Sequence, residues 1–333
     1  MLDLSYPLID LHRHLDGNVR LETILDLGTK HGIPLPAADI EGLRPHIQIT
    51  APRPGVMAFI EKMKFVVGVL GDYDACRRIA YENVQDASQE GIDYIELRFS
   101  PMFMAEAHSL ALEGVVEAVV EGVNQGRKDF DIQVNLIGII SRTYGPDQGW
   151  KELESLLAFQ DQITALDLAG DEVNFPGVLF VDHILEGRSS GWRITIHSGE
   201  ETGPESIWQA VEELKADRIG HGVSAAQDPV LMHYLAENKI GLESNLTSNL
   251  QTRVVDDLSV HPLKVFLEQG ILATINTDDP GISGINLRHE YEIAAPAAGL
   301  SEDQIHQAQR NALEIAFLSD EEKFTLRQKA ENQ

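Results

Sequence analysis

Cysteine is almost absent: one, Cys76, in 333 residues. A lone cysteine closes no intrachain disulfide and builds no cysteine-rich structural zinc site, which suits a reducing cytoplasm. Inside the helix-like stretch "DYDACRRIAYENV" it reads as a small buried hydrophobe. Cations are scarce as well: 26 Lys and Arg stand against 53 Asp and Glu, a formal charge of −27. Such a surface repels DNA, RNA and anionic membrane faces and leaves a neutral or cationic small molecule as the expected partner. The acidic excess also fits a solubility or salt adaptation. No apolar run approaches ~20 residues, so no membrane-spanning helix is expected. The first residues lack the zones of a signal peptide, so a cytoplasmic protein is expected. Neither G-x-G-x-x-G nor G-x-x-x-x-G-K-[ST] occurs, and no low-complexity linker divides the chain.

What is present recurs. Eight strand-sized apolar runs alternate with helix-sized amphipathic ones: "PLIDLH" (7–12), "IDYIELRF" (92–99), "VNLIGII" (134–140), "ITALDLA" (163–169), "RITIH" (193–197), "RIGH" (218–221), "KIGLES" (239–244) and "LATINT" (272–277). Little polar alternation marks them as parallel strands buried on both faces. Helices are expected over 205–216 and 228–238, over 261–270 with its terminal Gly270, three or four within 18–91 including 54–70, and again after 299. The pattern predicts one (β/α)₈ barrel of the TIM type spanning residues 1–333, with extra helices after the first strand and at the C-terminus. An open doubly wound sheet is the alternative and would usually bring a glycine-rich phosphate loop.

Barrel chemistry sits at the C-terminal ends of the strands. Strand one ends in His12 and His14, strand five leads into His197 and Glu200, strand six ends in His221, and strand eight leads into Asp278 and Asp279. Each signal alone is weak. Twelve histidines in 333 residues give about 0.4 H-x-H pairs by chance. His221 alone reads as a hydrogen-bonded structural residue, and "DDP" alone as a helix cap. Their convergence on one rim is not explained that way. Residues i and i+2 of a strand share a face, so His12 and His14 point inward together while Arg13 points away. With His197 and one aspartate they make a three-histidine, one-carboxylate set suited to a catalytic Zn²⁺, though iron or manganese accept the same donors. The second aspartate or His221 then orients water, and a desolvated Glu200 donates a proton.

The segments "DLHRHLDG", "LAGDE", "HSGE", "RIGHGV", "LTSN" and "NTDDP" resemble, in order and spacing, the adenosine deaminase family of the amidohydrolase superfamily. The resemblance spans about residues 5–330. It implies one Zn²⁺ on His12, His14, His197 and Asp278, with Glu200 protonating purine N1. It also implies that His221 and Asp279 orient and deprotonate the attacking water. Gly170 N–H would meet purine N3, Asp16 the ribose 5′-hydroxyl, and His14 and Asp279 would also touch substrate. The implied reaction converts adenosine or 2′-deoxyadenosine to inosine or deoxyinosine plus ammonia, in purine salvage. One departure is Ser198, where the family commonly has Ala. "ALDLAGDE" carries no lysine to bridge two metals, which favours a single ion. Within the family an adenine deaminase would usually carry Glu in place of Asp16, an AMP deaminase would want a basic cluster, and a modified adenosine remains an alternative. A metal-dependent phosphoesterase or a non-catalytic purine-binding barrel are the outside alternatives.

Overall fold

A computed structural model describes residues 2–49, 51 and 56–331, those at 56–61 by backbone alone. All eight expected strands form, as β1 (Ile9–His14), β2 (Tyr94–Phe99), β3 (Gln133–Ser141), β4 (Ala165–Ala169), β5 (Arg193–Ser198), β6 (Arg218–His221), β7 (Gly241–Ser244) and β8 (Ala273–Ile275). They lie in one parallel sheet in sequence order. The sheet closes just beyond β8. His14 N–H donates to Asp278 O and Asp278 N–H to His12 O, both at 2.8 Å. The Asn276 side chain takes the Leu11 N–H at 3.0 Å, which is why β8 stops short of the predicted 272–277. The result is a (β/α)₈ barrel of the TIM type.

Four helices fill the gap after β1: Leu21–His31, Ile40–Ile47, Val56–Val67 and Tyr73–Gln89. The helix expected over 54–70 is the third of these, its first two predicted residues lying outside the described ones. Cys76 is fully buried in the fourth, and burial pushes its thiol up to about 12. Short helical segments between 280 and 297 follow β8, and after residue 299 come the helices Glu302–Ile315 and Asp320–Glu331. Among the described residues no helix is long and apolar enough to cross a membrane.

The apolar core lies between the strands and their helices, where Ile95, Leu97, Leu166, Leu168, Ile194 and Ile196 are buried. The barrel's interior differs from the usual layers of branched aliphatics. Glu96 and Arg98 of β2, Asp167 of β4, Thr195 of β5, Arg218 of β6 and Glu243 of β7 meet across it, all buried. Arg98 Nη2 donates to Glu243 at 2.7 Å and Nη1 to Asp167 at 2.8 Å; Arg218 Nε donates to Glu243 at 2.7 Å and its Nη2 pairs with Glu96. Phe317 lies against the Arg218 guanidinium, 3.5 Å from it, and donates its N–H to Glu96 at 2.7 Å. Charges this deep persist only when paired, and every carboxylate of this layer faces a guanidinium, although Arg98 Nε has no acceptor of its own.

Candidate active site

The rim positions converge as strand closure requires. One cleft of about 250 Å³ is lined by His14, Asp16, Gly170, His197, Glu200, His221, Asp278 and Asp279, with Met63, Phe103 and Tyr144 on its walls. His12 lies beneath it, fully buried. Two of these residues carry left-handed backbone, His221 at φ 62° and Asp278 at φ 63°. Non-glycine residues adopt that region at a cost, and the two hydrogen bonds clamping the Asp278 peptide to β1 hold it there.

His12 Nδ1 pairs with Glu243 Oε2 at 2.7 Å and His197 Nδ1 with Asp167 Oδ2 at 2.9 Å. Each carboxylate takes the Nδ1 proton, so both rings turn an Nε2 lone pair to the cleft, an arrangement typical of metal-ligating histidines. His12 Nε2 has no hydrogen-bond donor and lies 3.2 Å from Asp278 Oδ1. His14 Nε2 is 3.3 Å from His197 Nε2 and 3.4 Å from Asp278 Oδ1. Lone pairs and carboxylate oxygens this close repel one another unless a cation lies among them. Buried carboxyls gather around these rings as well, Asp16, Asp278 and Asp279 among them. His14 shows the same demand: burial would lower it, yet Asp279, Asp16 and Asp278 lift it to about 9.

The donors fall into two overlapping groups. His12, His197, His221 and Asp278 bring ligand atoms within 4.8 Å of one another; His14, Asp278 and Asp279 form the second group. Tertiary structure therefore adds His221 to the neighbourhood of the set expected from sequence and sets His14 toward the aspartates. His221 Nε2 faces Glu200 Oε2 at 3.6 Å and Asp278 Oδ2 at 3.8 Å, while its Nδ1 meets Asn249 Nδ2 at 3.0 Å.

Glu200 is held well above the usual carboxyl range, by burial first and then by the charges of Asp278, Glu201, Glu172 and Asp279. This shift favours the protonated carboxyl, the form that a proton donor needs. Its loop is shaped by Glu172, whose carboxylate accepts N–H bonds from Gly199 (2.7 Å), Glu200 (3.2 Å), Glu201 (3.1 Å) and Thr202 (3.4 Å). Gly199 turns at φ +69°, where an added Cβ would sit 2.5 Å from Ser224 Oγ. Ser198 donates its hydroxyl to Ser206 Oγ at 3.0 Å, away from the metal donors. Asp279 Oδ1 and Asp16 Oδ1 are buried without hydrogen-bond partners, while Asp16 Oδ2 takes Ser100 N–H at 3.0 Å. Asp279 Oδ1 occupies the space above Gly17, where any Cβ would fall 1.4 Å from it. Gly170 stands at φ +109°, leaving bare backbone on the cleft wall.

Several contributors escaped the sequence reading. Asp167, Glu243 and Arg98 sit in apolar-looking strands, and Glu172 is the last letter of "LAGDE". Strand alternation was the available signal: Glu96, Arg98, Asp167 and Glu243 occupy alternate positions, and charges inside a barrel need partners across it. Arg13 does point away from the cleft, but it is fully buried, bound to Asp10, Thr277 and Glu90.

A (β/α)₈ barrel with a buried His/Asp cluster at the strand ends, a buried carboxyl of raised pKa beside it and free acceptors above it defines the amidohydrolase class. Within that class the match is narrower. Residues 7–333 fit the family model described as adenosine deaminase. The chain is 61% identical to the adenosine deaminase of Photorhabdus laumondii subsp. laumondii, over the full length of both, and 58% identical to that of Escherichia coli O1:K1 / APEC, over 99% of each. The chain belongs to the adenosine deaminase family. Among solved structures it is similar to the adenine deaminase of Arthrobacter aurescens (TM-score 0.91, 26% identity, 98% of each chain) and to an Arabidopsis N6-mAMP deaminase (TM-score 0.82, 26% identity, 99% of each).

Proposed function

We propose that this enzyme hydrolyses adenosine and 2′-deoxyadenosine to inosine and deoxyinosine with release of ammonia, as a cytoplasmic enzyme of purine salvage. His12, His14, His197 and Asp278 would hold one Zn²⁺ per chain. When bound, the ion supplies Lewis acidity and makes a water acidic enough to react near neutral pH. The chain's own residues do the rest. Glu200 gives its proton to purine N1, which makes C6 electron-poor. Asp279 accepts a proton as a water oxygen bonds to C6, with His221 fixing that oxygen's position. The C6–N bond then breaks as the amino group takes the proton held by Asp279 and leaves as ammonia, while the remaining hydroxyl proton returns to Glu200 as C6=O forms. Gly170 N–H meets purine N3, and the unpartnered Asp16 Oδ1 accepts the ribose 5′-hydroxyl. His14 and Asp279 border the substrate as well.

The observation that carries this reading is one cleft holding both Glu200, its carboxyl held well above the usual range, beside the donor cluster and a buried Asp16 whose Oδ1 has no hydrogen bond. A hydroxyl donor satisfies that oxygen, whereas free adenine leaves it without one and a 5′-phosphate is repelled. The identities point the same way, at 61% with an adenosine deaminase against 26% with an adenine deaminase and with an N6-mAMP deaminase. The test is a side-by-side turnover assay with adenosine, deoxyadenosine, adenine, AMP and N6-methyl-AMP on zinc-loaded protein. Both nucleosides should lead by more than about 100-fold. Absence of adenosine turnover, or a lead for any of the other three, would overturn the assignment.

A further inference from the structure

His221 is joined to the segment between β7 and β8 by a chain of hydrogen bonds that begins at a backbone amide. Leu263 N–H meets His261 Nδ1 at 3.1 Å. A backbone N–H only donates, so His261 Nδ1 is a lone pair and the ring proton sits on Nε2. That Nε2–H lies 3.1 Å from Asn249 Oδ1, which accepts it. With its oxygen committed, Asn249 turns its NH₂ to His221 Nδ1 at 3.0 Å. His221 Nδ1 must then be a lone pair, and the single proton of its neutral ring rests on Nε2. The Asn245 NH₂ lies over the ring, 3.3 Å from Nδ1 and 3.4 Å from Nε2, and so does not choose between them; the choice is made by Asn249. Every member is buried: His221, Asn249 and Asn245 are at most 1% exposed and His261 is 4% exposed. Burial also pushes His261 down to about 3.

From this geometry we infer that His261 and Asn249 are positioning residues that lock His221 in its Nε2–H tautomer, so that His221 serves the reaction as a hydrogen-bond donor and not as a base. Nε2–H faces the cleft, 3.6 Å from Glu200 Oε2 and 3.8 Å from Asp278 Oδ2, where it donates to an oxygen arriving between them. Asp279 is left as the acceptor of the water's proton. The inference rests on the deaminase reading only for what His221 donates to; the tautomer itself does not depend on it. The left-handed backbone of His221 fits this use, since it aims the ring at the cleft while Nδ1 stays on the asparagine side.

The decisive measurement is ¹⁵N–¹H NMR of the zinc-loaded protein with labelled histidine, which distinguishes Nδ1–H from Nε2–H rings without any turnover. Both His261 and His221 should be Nε2–H; an Nδ1–H ring at either position overturns the inference. Asn249→Asp supplies the second arm. A carboxylate only accepts, so His221 must then place a proton on Nδ1, in a side chain of nearly the same shape. The ¹⁵N signature of His221 should change, and kcat should fall by about 10–100-fold with KM within threefold. An unchanged signature or an unchanged kcat refutes the relay. A wild-type protein with the predicted tautomers but no adenosine turnover would instead refute the deaminase reading and leave the relay standing.

Discussion

Replacing Glu243 by Gln tests the ion layer under the site with almost no change of shape. The native carboxylate accepts four bonds: His12 Nδ1 and Arg98 Nη2 on Oε2, Arg218 Nε and Thr195 Oγ1 on Oε1. An amide has one accepting oxygen, so one of these pairs must face NH₂. Thr195 can rotate its hydroxyl to accept, whereas neither guanidinium can. The amide oxygen therefore stays on His12 and Arg98, and Arg218 Nε loses its partner while keeping Glu96, the Ile315 carbonyl and the Phe317 face. One bond to a buried charge disappears and two more lose their ionic partner, at about 1.5–3 kcal/mol for a full loss. Removing one partner of a buried pair costs ~3–5 kcal/mol in all. With 333 residues the unfolding entropy is ~0.7 kcal/mol per kelvin, so ~4 kcal/mol lowers Tm by roughly 6 °C. His12 keeps an acceptor on Nδ1 but loses that acceptor's negative charge, which weakens metal affinity by up to about 10–100-fold. Calorimetry with and without zinc, together with chelator competition, reads both quantities. A Tm within 2 °C of wild type and an unchanged zinc affinity would refute the ion-layer account.

Glu200→Gln should lower kcat by about 10²–10⁴-fold while zinc content stays at one per chain; near-normal rates would remove Glu200 as the acid. In the wild type, Glu200 is active when protonated and its pKa is raised, so kcat/KM should hold through neutral pH and fall on the alkaline side. A profile that instead rises through that range would contradict the role. Asp16→Ala should cost adenosine far more than adenine, and equal losses would dismiss its contact with ribose. Glu290 is fully buried, accepts Thr247 N–H at 3.2 Å, has no partner on Oε1, and is pushed by burial to about 8. From the ordinary value of 4.5 up to about 8 the folded state keeps a proton that the unfolded chain has released, so this group lowers stability as pH rises through that window. Glu290→Gln should raise Tm more at pH 8 than at pH 6, and a pH-independent effect would refute the linkage.

The order of the elements and the rim of the barrel were legible in the sequence because both are local signals. Short aliphatic runs such as "ITALDLA" and "RITIH" state a buried strand within a handful of residues, and polar clusters at their ends state where a barrel keeps its chemistry. His12, His14, His197, Asp278 and Glu200 could be picked out because each stands next to a strand end. Arg98, Asp167, Glu243 and His261 could not, because their meaning lies in a partner rather than in a neighbour. Arg98 finds Asp167 at a separation of 69 residues and Glu243 at 145. His261 reaches the site only through Asn249, with which it shares no strand or helix. Composition and periodicity record which residues avoid water. Which buried charge faces which, and on which nitrogen a histidine keeps its proton, were decided only when closure of the sheet brought β2, β4, β6 and β7 around one axis and left each polar atom a single place to find its partner.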